Sequence, residues 1–142
     1  MKIRKAKKED FREIAEILIK ESSKKPYNEK YTFEIALKEI NGLAKDELYV
    51  AVNKKEIIGF IASNITPDNK KKAYLGELWL KPSYQKKGIG KALVKFIEDK
   101  YKKKGIKTMR VLVKRNAGAF NFYKKIKYTE YKELVFMDKK LK

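Results

Sequence analysis

The sequence predicts an α/β (α+β) fold in which a mixed, mostly antiparallel β-sheet is flanked by about four helices. Three observations support this prediction. Apolar residues recur at steps of three and four in four separate segments, which is the spacing of helices that bury one face. Short segments rich in β-branched and aromatic residues lie between them and end at turn residues. A length of 142 residues is typical of one domain, which we expect to span residues 1–142.

Two helices are predicted near the start of the chain. An edge strand from Lys2 to Ala6 precedes a helix from Asp10 to Ile19, whose apolar residues share one face. A polar, turn-rich break follows, and a helical pattern resumes from Thr32 to Ile40. Gly42 is the expected C-terminal stop of this second helix.

Three antiparallel strands are predicted next. Leu48 to Val52 and Ile57 to Ile65 form a hairpin because a short polar connection separates them. The turn from Thr66 to Lys70 then leads into a strand from Ala73 to Leu80. Pro82 breaks the pattern after this strand, since proline cannot donate to a sheet ladder.

The second half begins with a helix of about four turns. Its apolar stripe runs from Ile89 to Tyr101, and Gly105 ends it. A strand from Met109 to Lys114 should lie parallel to the strand before the helix, because a crossover helix joins parallel neighbours. A short helix from Ala117 to Ile126 and one or two closing strands between Tyr128 and Leu141 complete the prediction.

The turn before the central helix is a predicted anion site. It runs Gln85-Lys86-Lys87-Gly88-Ile89-Gly90-Lys91. The first amides of a helix have no partner within it and carry about half a positive charge, so a phosphate fits there. Gly88 and Gly90 let a ligand approach the backbone, and the three lysines add positive charge.

Composition limits the chemistry. Cysteine and histidine are both absent, which removes disulfides, thiolate nucleophiles, imidazole bases and the usual zinc sites, so no metal is expected. The net charge of +19 favours an anionic ligand. Most of the basic residues are lysine, which lacks the bidentate fork of arginine, so we do not expect sequence-specific nucleic-acid binding. No apolar run suits a membrane span or a signal peptide, and we expect a cytoplasmic protein.

The segment around this turn resembles the acetyl-coenzyme A (acetyl-CoA) binding motif of the GNAT family of N-acetyltransferases. The resemblance rests on Leu78-Trp79-Leu80, then Pro82, then Gln85 to Leu93, and it covers about residues 48 to 131. It implies that the two parallel strands splay apart, with acetyl-CoA entering the gap. The cofactor-binding residues that it implies are Leu78, Trp79, Leu80, Gln85, Lys86, Lys87, Gly88, Ile89, Gly90, Lys91 and Asn116.

The same resemblance suggests the catalytic residues. Tyr123 lies in Asn116-Ala117-Gly118-Ala119-Phe120-Asn121-Phe122-Tyr123, which is similar to a family segment whose tyrosine is the usual candidate for the general acid. Glu77 stands where family members often have an acid, and it could accept the proton of the amine directly or through water. On the residues alone, Tyr123 could equally be a half-buried tyrosine of an apolar helix face and Glu77 a surface acid.

One departure from the family pattern stands at Lys127, where a glycine is usual. A left-handed cap at this position costs a lysine about 1 kcal/mol. The expected function is transfer of an acetyl group to a primary amine in a direct ternary complex, because the chain has no cysteine to hold an acyl group. The positive surface argues mildly against polyamines. The alternatives are a basic nucleic-acid-binding module and a non-catalytic domain that binds CoA, and the sequence leaves a homodimer open.

Overall fold

A five-stranded mixed sheet forms the centre of the larger of two units in the chain. The computed structural model describes residues 1–67 and 71–142, which cluster into Met1–Leu112 and Val113–Lys142. That the two units form one domain stays a prediction. The elements of the first unit are β1 (Lys2–Lys5), α1 (Phe11–Ser22), α2 (Phe33–Leu43), β2 (Glu47–Asn53), β3 (Glu56–Ile65), β4 (Lys72–Leu80), α3 (Ile89–Lys103) and β5 (Thr108–Val111).

The strands lie in the order β1-β2-β3-β4-β5. The first four are antiparallel to their neighbours, and β4 pairs with β5 in parallel, as the crossover through α3 predicts. This confirms the mixed, mostly antiparallel sheet. The predicted turn from Thr66 to Lys70 includes residues 68–70, which lie outside the described residues.

Helices cover both faces of the sheet because side chains alternate along each strand. Leu48 and Val50 of β2 belong to the core formed with α1 and α2. Tyr49, between them, instead packs on Phe96 of α3 with ring centroids 4.9 Å apart. The α1–α2 face therefore has its own apolar core, and α3 lies on the opposite face.

A bulge at Gly76 divides β4. Ala62 of β3 pairs with Glu77, but the next residue, Ser63, pairs with Leu75, so Gly76 is the extra residue. The parallel pairing with β5 ends at Leu75 and Val111, while β4 continues to Leu80. Within the described chain, residues 77–80 thus pair only with β3, which agrees with the expected splay.

The second unit contains one helix, α4 (Gly118–Lys125). Its end is closed by backbone hydrogen bonds from the Lys127 amide to the Lys124 carbonyl (3.1 Å) and from the Tyr128 amide to the Tyr123 carbonyl (2.9 Å). Lys127 has φ 77°, so the lysine does adopt the left-handed conformation expected at this position. No helix in the described part of the chain is long and apolar enough to cross a membrane.

Two predicted boundaries were wrong, and one predicted element is absent from the described residues. Gly42 does not stop α2, because one further position buries much of Leu43 against the core. The strand predicted to reach Lys114 ends at Val111, since its partner β4 bulges away. The one or two closing strands predicted between Tyr128 and Leu141 are absent from the described structure, because suitable side chains make no strand without a neighbouring backbone to pair with.

Candidate functional site

The turn between β4 and α3 has the backbone expected of an anion site. Lys86 and Gly88 both have positive φ, 60° and 85°, which turns the chain sharply before α3. The first hydrogen bond of α3 runs from the Ala92 amide to the Gly88 carbonyl (3.0 Å). The amides of Ile89 and Gly90 therefore have no carbonyl within the helix to donate to. These amides and the exposed lysines of the turn suit a phosphate.

Side chains from the β2–β3 hairpin fix the segment that precedes this turn. Lys81 Nζ lies 3.0 Å from Glu56 Oε2, and Tyr84 Oη donates to Glu56 Oε1 at 3.1 Å. These contacts hold the pKa of Glu56 below its usual range. Lys87 in turn lies 5.9 Å from the centre of the Tyr84 ring. The start of the turn is thus tied to the sheet, while the lysines remain at the surface.

The half of β4 beyond the bulge offers backbone groups on its open edge. The Lys81 amide donates to Ile58 of β3 (2.9 Å). Since backbone groups alternate between the two edges of a strand, those of Trp79 face β3 and those of Leu78 and Leu80 face the other edge. In the described chain, β5 does not reach this length of β4.

Among the described residues, Glu77 is a titratable group whose pKa is strongly raised by its surroundings. It lies on the α1–α2 face, opposite Ala62, and Trp79 Nε1 donates to its Oε2 at 2.5 Å. The pKa of Glu77 is raised to about 8, chiefly by burial; the indole hydrogen bond opposes this rise, and the neighbouring carboxylates of Glu39 and Glu29 add to it. Such a carboxyl group is a candidate acid or base.

Aromatic rings lie on the same side as Glu77. The ring of Tyr27 meets Trp79 edge-on at 4.9 Å. Burial first, and then hydrogen bonding and charge from Glu39, raise the pKa of Tyr31. Glu77 also acts on Tyr31, so acids and aromatic side chains from the α1–α2 connection, α2 and β4 share one region. Carboxylates beside aromatic faces attract organic cations.

Asn116 and Tyr123 both lie in the second unit. Asn116 is exposed just before α4, and Tyr123 is buried on it. The Tyr123 ring packs against Phe122 and Tyr128, with centroids 5.0 and 5.4 Å away. Their contact with a cofactor stays a prediction.

The structure brings together much of what the motif predicts and adds residues that it missed. The half of β4 beyond the bulge carries four of the predicted residues, Glu77, Leu78, Trp79 and Leu80. The turn residues from 85 to 91 surround the start of α3. Glu39 was missed, although its place beside Ile40 on the flank of an apolar stripe was a usable signal. In the described residues, no three His, Cys, Asp or Glu side chains are grouped to hold a metal.

The chain matches a known protein family over most of its length. The model of the acetyltransferase (GNAT) family matches residues 9–128. A spermidine N(1)-acetyltransferase from Thermoplasma acidophilum is 42% identical over 101 residues, which are 68% of this chain and 61% of that protein. The match therefore spans less than two thirds of this curated relative.

Solved structures are similar over nearly the whole chain. PaiA N-acetyltransferase from Thermoplasma acidophilum, in complex with coenzyme A, is 34% identical with a TM-score of 0.68, and the alignment covers 88% of this chain and 87% of that one. An aminoglycoside acetyltransferase from an uncultured soil metagenomic sample, in complex with sisomicin, is 21% identical with a TM-score of 0.75 and coverages of 99% and 96%. The second likeness shows the fold alone.

Proposed function

The chain belongs to the acetyltransferase (GNAT) family, and from this premise we propose that it is an N-acetyltransferase that moves an acetyl group from acetyl-CoA to a primary amine of a polycation. The observation that supports this most directly is the half-buried Glu77, with its raised pKa, on the part of β4 beyond the bulge, just before an anion-binding turn. A carboxyl group and a phosphate site on one strand and its following turn suit an enzyme that joins a cationic acceptor to a phosphorylated donor.

The residues of the turn fit the phosphates of acetyl-CoA, which when bound supplies the acetyl thioester. The left-handed Gly88 exposes the first amides of α3, and Lys86, Lys87 and Lys91 surround them. The backbone groups of Leu78 and Leu80, which face the open edge of β4, would bind and orient the pantetheine arm. Asn116 would contact the cofactor, as the family resemblance implies.

Glu77 would take the proton of the acceptor. An ionised Glu77 attracts an ammonium group, accepts its proton and leaves the nitrogen lone pair available. Its pKa of about 8 lies closer to that of an amine, about 10, than an ordinary carboxyl group does, so the transfer is less unfavourable. The Trp79 indole orients the carboxylate through its hydrogen bond. Tyr123 would be the general acid that returns a proton to the leaving thiolate.

The surroundings of Glu77 favour an acceptor with more than one positive charge. The chain as a whole carries +19, which argued mildly against polyamines. The local charge differs, because Glu29 and Glu39 both act on Glu77 and on Tyr31. Two further carboxylates would bind the remote ammonium groups of a polyamine, and the rings of Tyr27 and Trp79 would cover its methylene chain.

The test is release of free CoA thiol from acetyl-CoA with spermidine or with butylamine as the acceptor. The chain has no cysteine, so every thiol that forms comes from the reaction. We expect turnover with both amines and a lower KM for spermidine. Glu39→Gln should raise the spermidine KM more than the butylamine KM, while Glu34→Gln, which removes an exposed acid of the same helix, should change neither.

Two outcomes would contradict the proposal. Failure of any amine to release thiol, while coenzyme A still binds, would favour the non-catalytic domain. Equal displacement of coenzyme A by RNA and by inorganic polyphosphate, with a steep dependence on salt, would favour the basic nucleic-acid module.

A further inference from the structure

Gln85, the first residue of the turn, has both hydrogens of its side-chain amide in use. Its Nε2 donates to the Leu80 carbonyl at 3.0 Å and to Glu21 Oε1 at 3.3 Å. Both partners are acceptors only, so the amide nitrogen, and not its oxygen, must face them. A phosphate oxygen also accepts only, and Gln85 has no further side-chain hydrogen to donate to it.

Glu21 connects this amide to the other end of the site. It is buried at the end of α1, with its side chain 5% exposed. Lys24 Nζ donates to both of its oxygens at 2.9 Å. The Lys24 carbonyl then accepts the Tyr27 amide at 2.9 Å, in the turn whose Tyr27 ring packs against Trp79.

We propose that Gln85 is a positioning residue that joins the phosphate-binding turn, through Glu21 and Lys24, to the turn that carries Tyr27, and that it does not bind the cofactor with its side chain. The bridge spans 64 residues of sequence and fixes the cofactor and acceptor sides of the site relative to each other. An added phosphate ligand would leave Glu21 buried with one donor fewer. This inference rests on the proposed function for the identity of the two ligands.

The test exchanges the amide of Gln85 and the carboxylate of Glu21 between the two positions. Gln85→Glu places a carboxylate against Glu21 and should weaken coenzyme A binding about tenfold and raise the amine KM, with kcat less affected. Glu21→Gln should then partly rescue this variant, because the new amide can donate to the new carboxylate, although that carboxylate still faces the Leu80 carbonyl. The double variant should bind coenzyme A about threefold more tightly than Gln85→Glu alone, measured by calorimetry. Ser83→Glu adds the same charge at an exposed position of this segment and should gain nothing from Glu21→Gln.

Gln85→Glu equally impaired with and without Glu21→Gln would overturn the inference, since it would mean that position 85 acts on the cofactor itself. Thermal unfolding of the parent, Gln85→Glu, Glu21→Gln and the double variant is a second measurement, and it needs no ligand. The bridge requires a non-additive cycle in which Glu21→Gln recovers the melting temperature lost in Gln85→Glu, and an additive cycle would refute it. A parent protein that binds no coenzyme A would refute the proposed function alone.

Discussion

Glu77→Gln tests the central electrostatic inference, because glutamine keeps the shape of the side chain and can still accept the Trp79 indole hydrogen but cannot ionise. The folded protein holds this carboxyl at a pKa of about 8, against an ordinary value of 4.5. Between these pH values the folded state binds more protons than the unfolded state. The stability contributed by the proton is therefore present below pH 4.5 and is lost as the pH rises through about 8.

The magnitude follows from the shift. At about 1.4 kcal/mol per pKa unit, the full effect is at most about 5 kcal/mol, most of it between pH 5 and pH 8. The parent should lose up to about 4 kcal/mol relative to Glu77→Gln over this interval. Urea unfolding at pH 5, 6.5 and 8 measures the difference, and Trp79, the single tryptophan, supplies the fluorescence signal.

Turnover supplies the second half of this test. The kcat/KM of the parent should rise with an apparent pKa near 8 as Glu77 ionises, and Glu77→Gln should reduce kcat/KM about 100-fold and remove that rise. Glu39→Gln should lower the pKa of Glu77 and move the rise to lower pH, because it removes a neighbouring negative charge. A stability difference between parent and Glu77→Gln that stays constant from pH 5 to pH 8 would refute the reasoning.

Four further substitutions test the scaffold by chemical denaturation. Gly59→Ala should destabilise the protein by about 1–3 kcal/mol and reduce turnover, because the new Cβ would lie 2.3 Å from Leu80 Cδ2. Gly42→Ala, whose Cβ would meet nothing within 4 Å, should stabilise α2 by up to about 1 kcal/mol. Equal effects of the two substitutions would contradict the close approach of β3 to β4. Asp10→Ala should lower the free energy of unfolding by about 3 kcal/mol at pH 7 and by much less near pH 2. The guanidinium of Arg4 holds the pKa of the buried Asp10 below its usual range, so the stabilisation disappears as Asp10 becomes protonated. Lys127→Gly should stabilise by about 1 kcal/mol by relieving a left-handed lysine, and an unchanged midpoint would show that the conformation is unstrained.

Local patterns predicted most of the fold. The apolar stripe of α3, the β-branched and aromatic strands of the hairpin with their short connection, and the glycine turn each depend on residues a few positions apart, and the structure has all three where they were expected. The approximate place of Glu77 also followed from the sequence, because it lies on the strand that leads into the turn.

Features that depend on distant residues could not be predicted in this way. The pKa of Glu77 depends on Glu39, and Gln85 contacts Glu21 across 64 positions. Neither contact produces a periodic pattern in the sequence. The prediction of closing strands was wrong for a related reason, since the apolar and aromatic residues between Tyr128 and Leu141 suit a strand but do not provide a partner strand.

The extra residue at Gly76 has a consequence for how this protein can change. Residues 73–75 of β4 are paired on both edges, so substitutions there would disturb the folding of the sheet. Within the described residues, 77–80 pair with β3 alone, and Glu77 and Trp79 would face the proposed acceptor on one side of the strand. Selection for a new acceptor amine should therefore accumulate substitutions at Glu77, Trp79 and the side chains that face them, while the first half of the strand keeps its sequence. One strand would thus combine a segment constrained by folding with a segment that can vary.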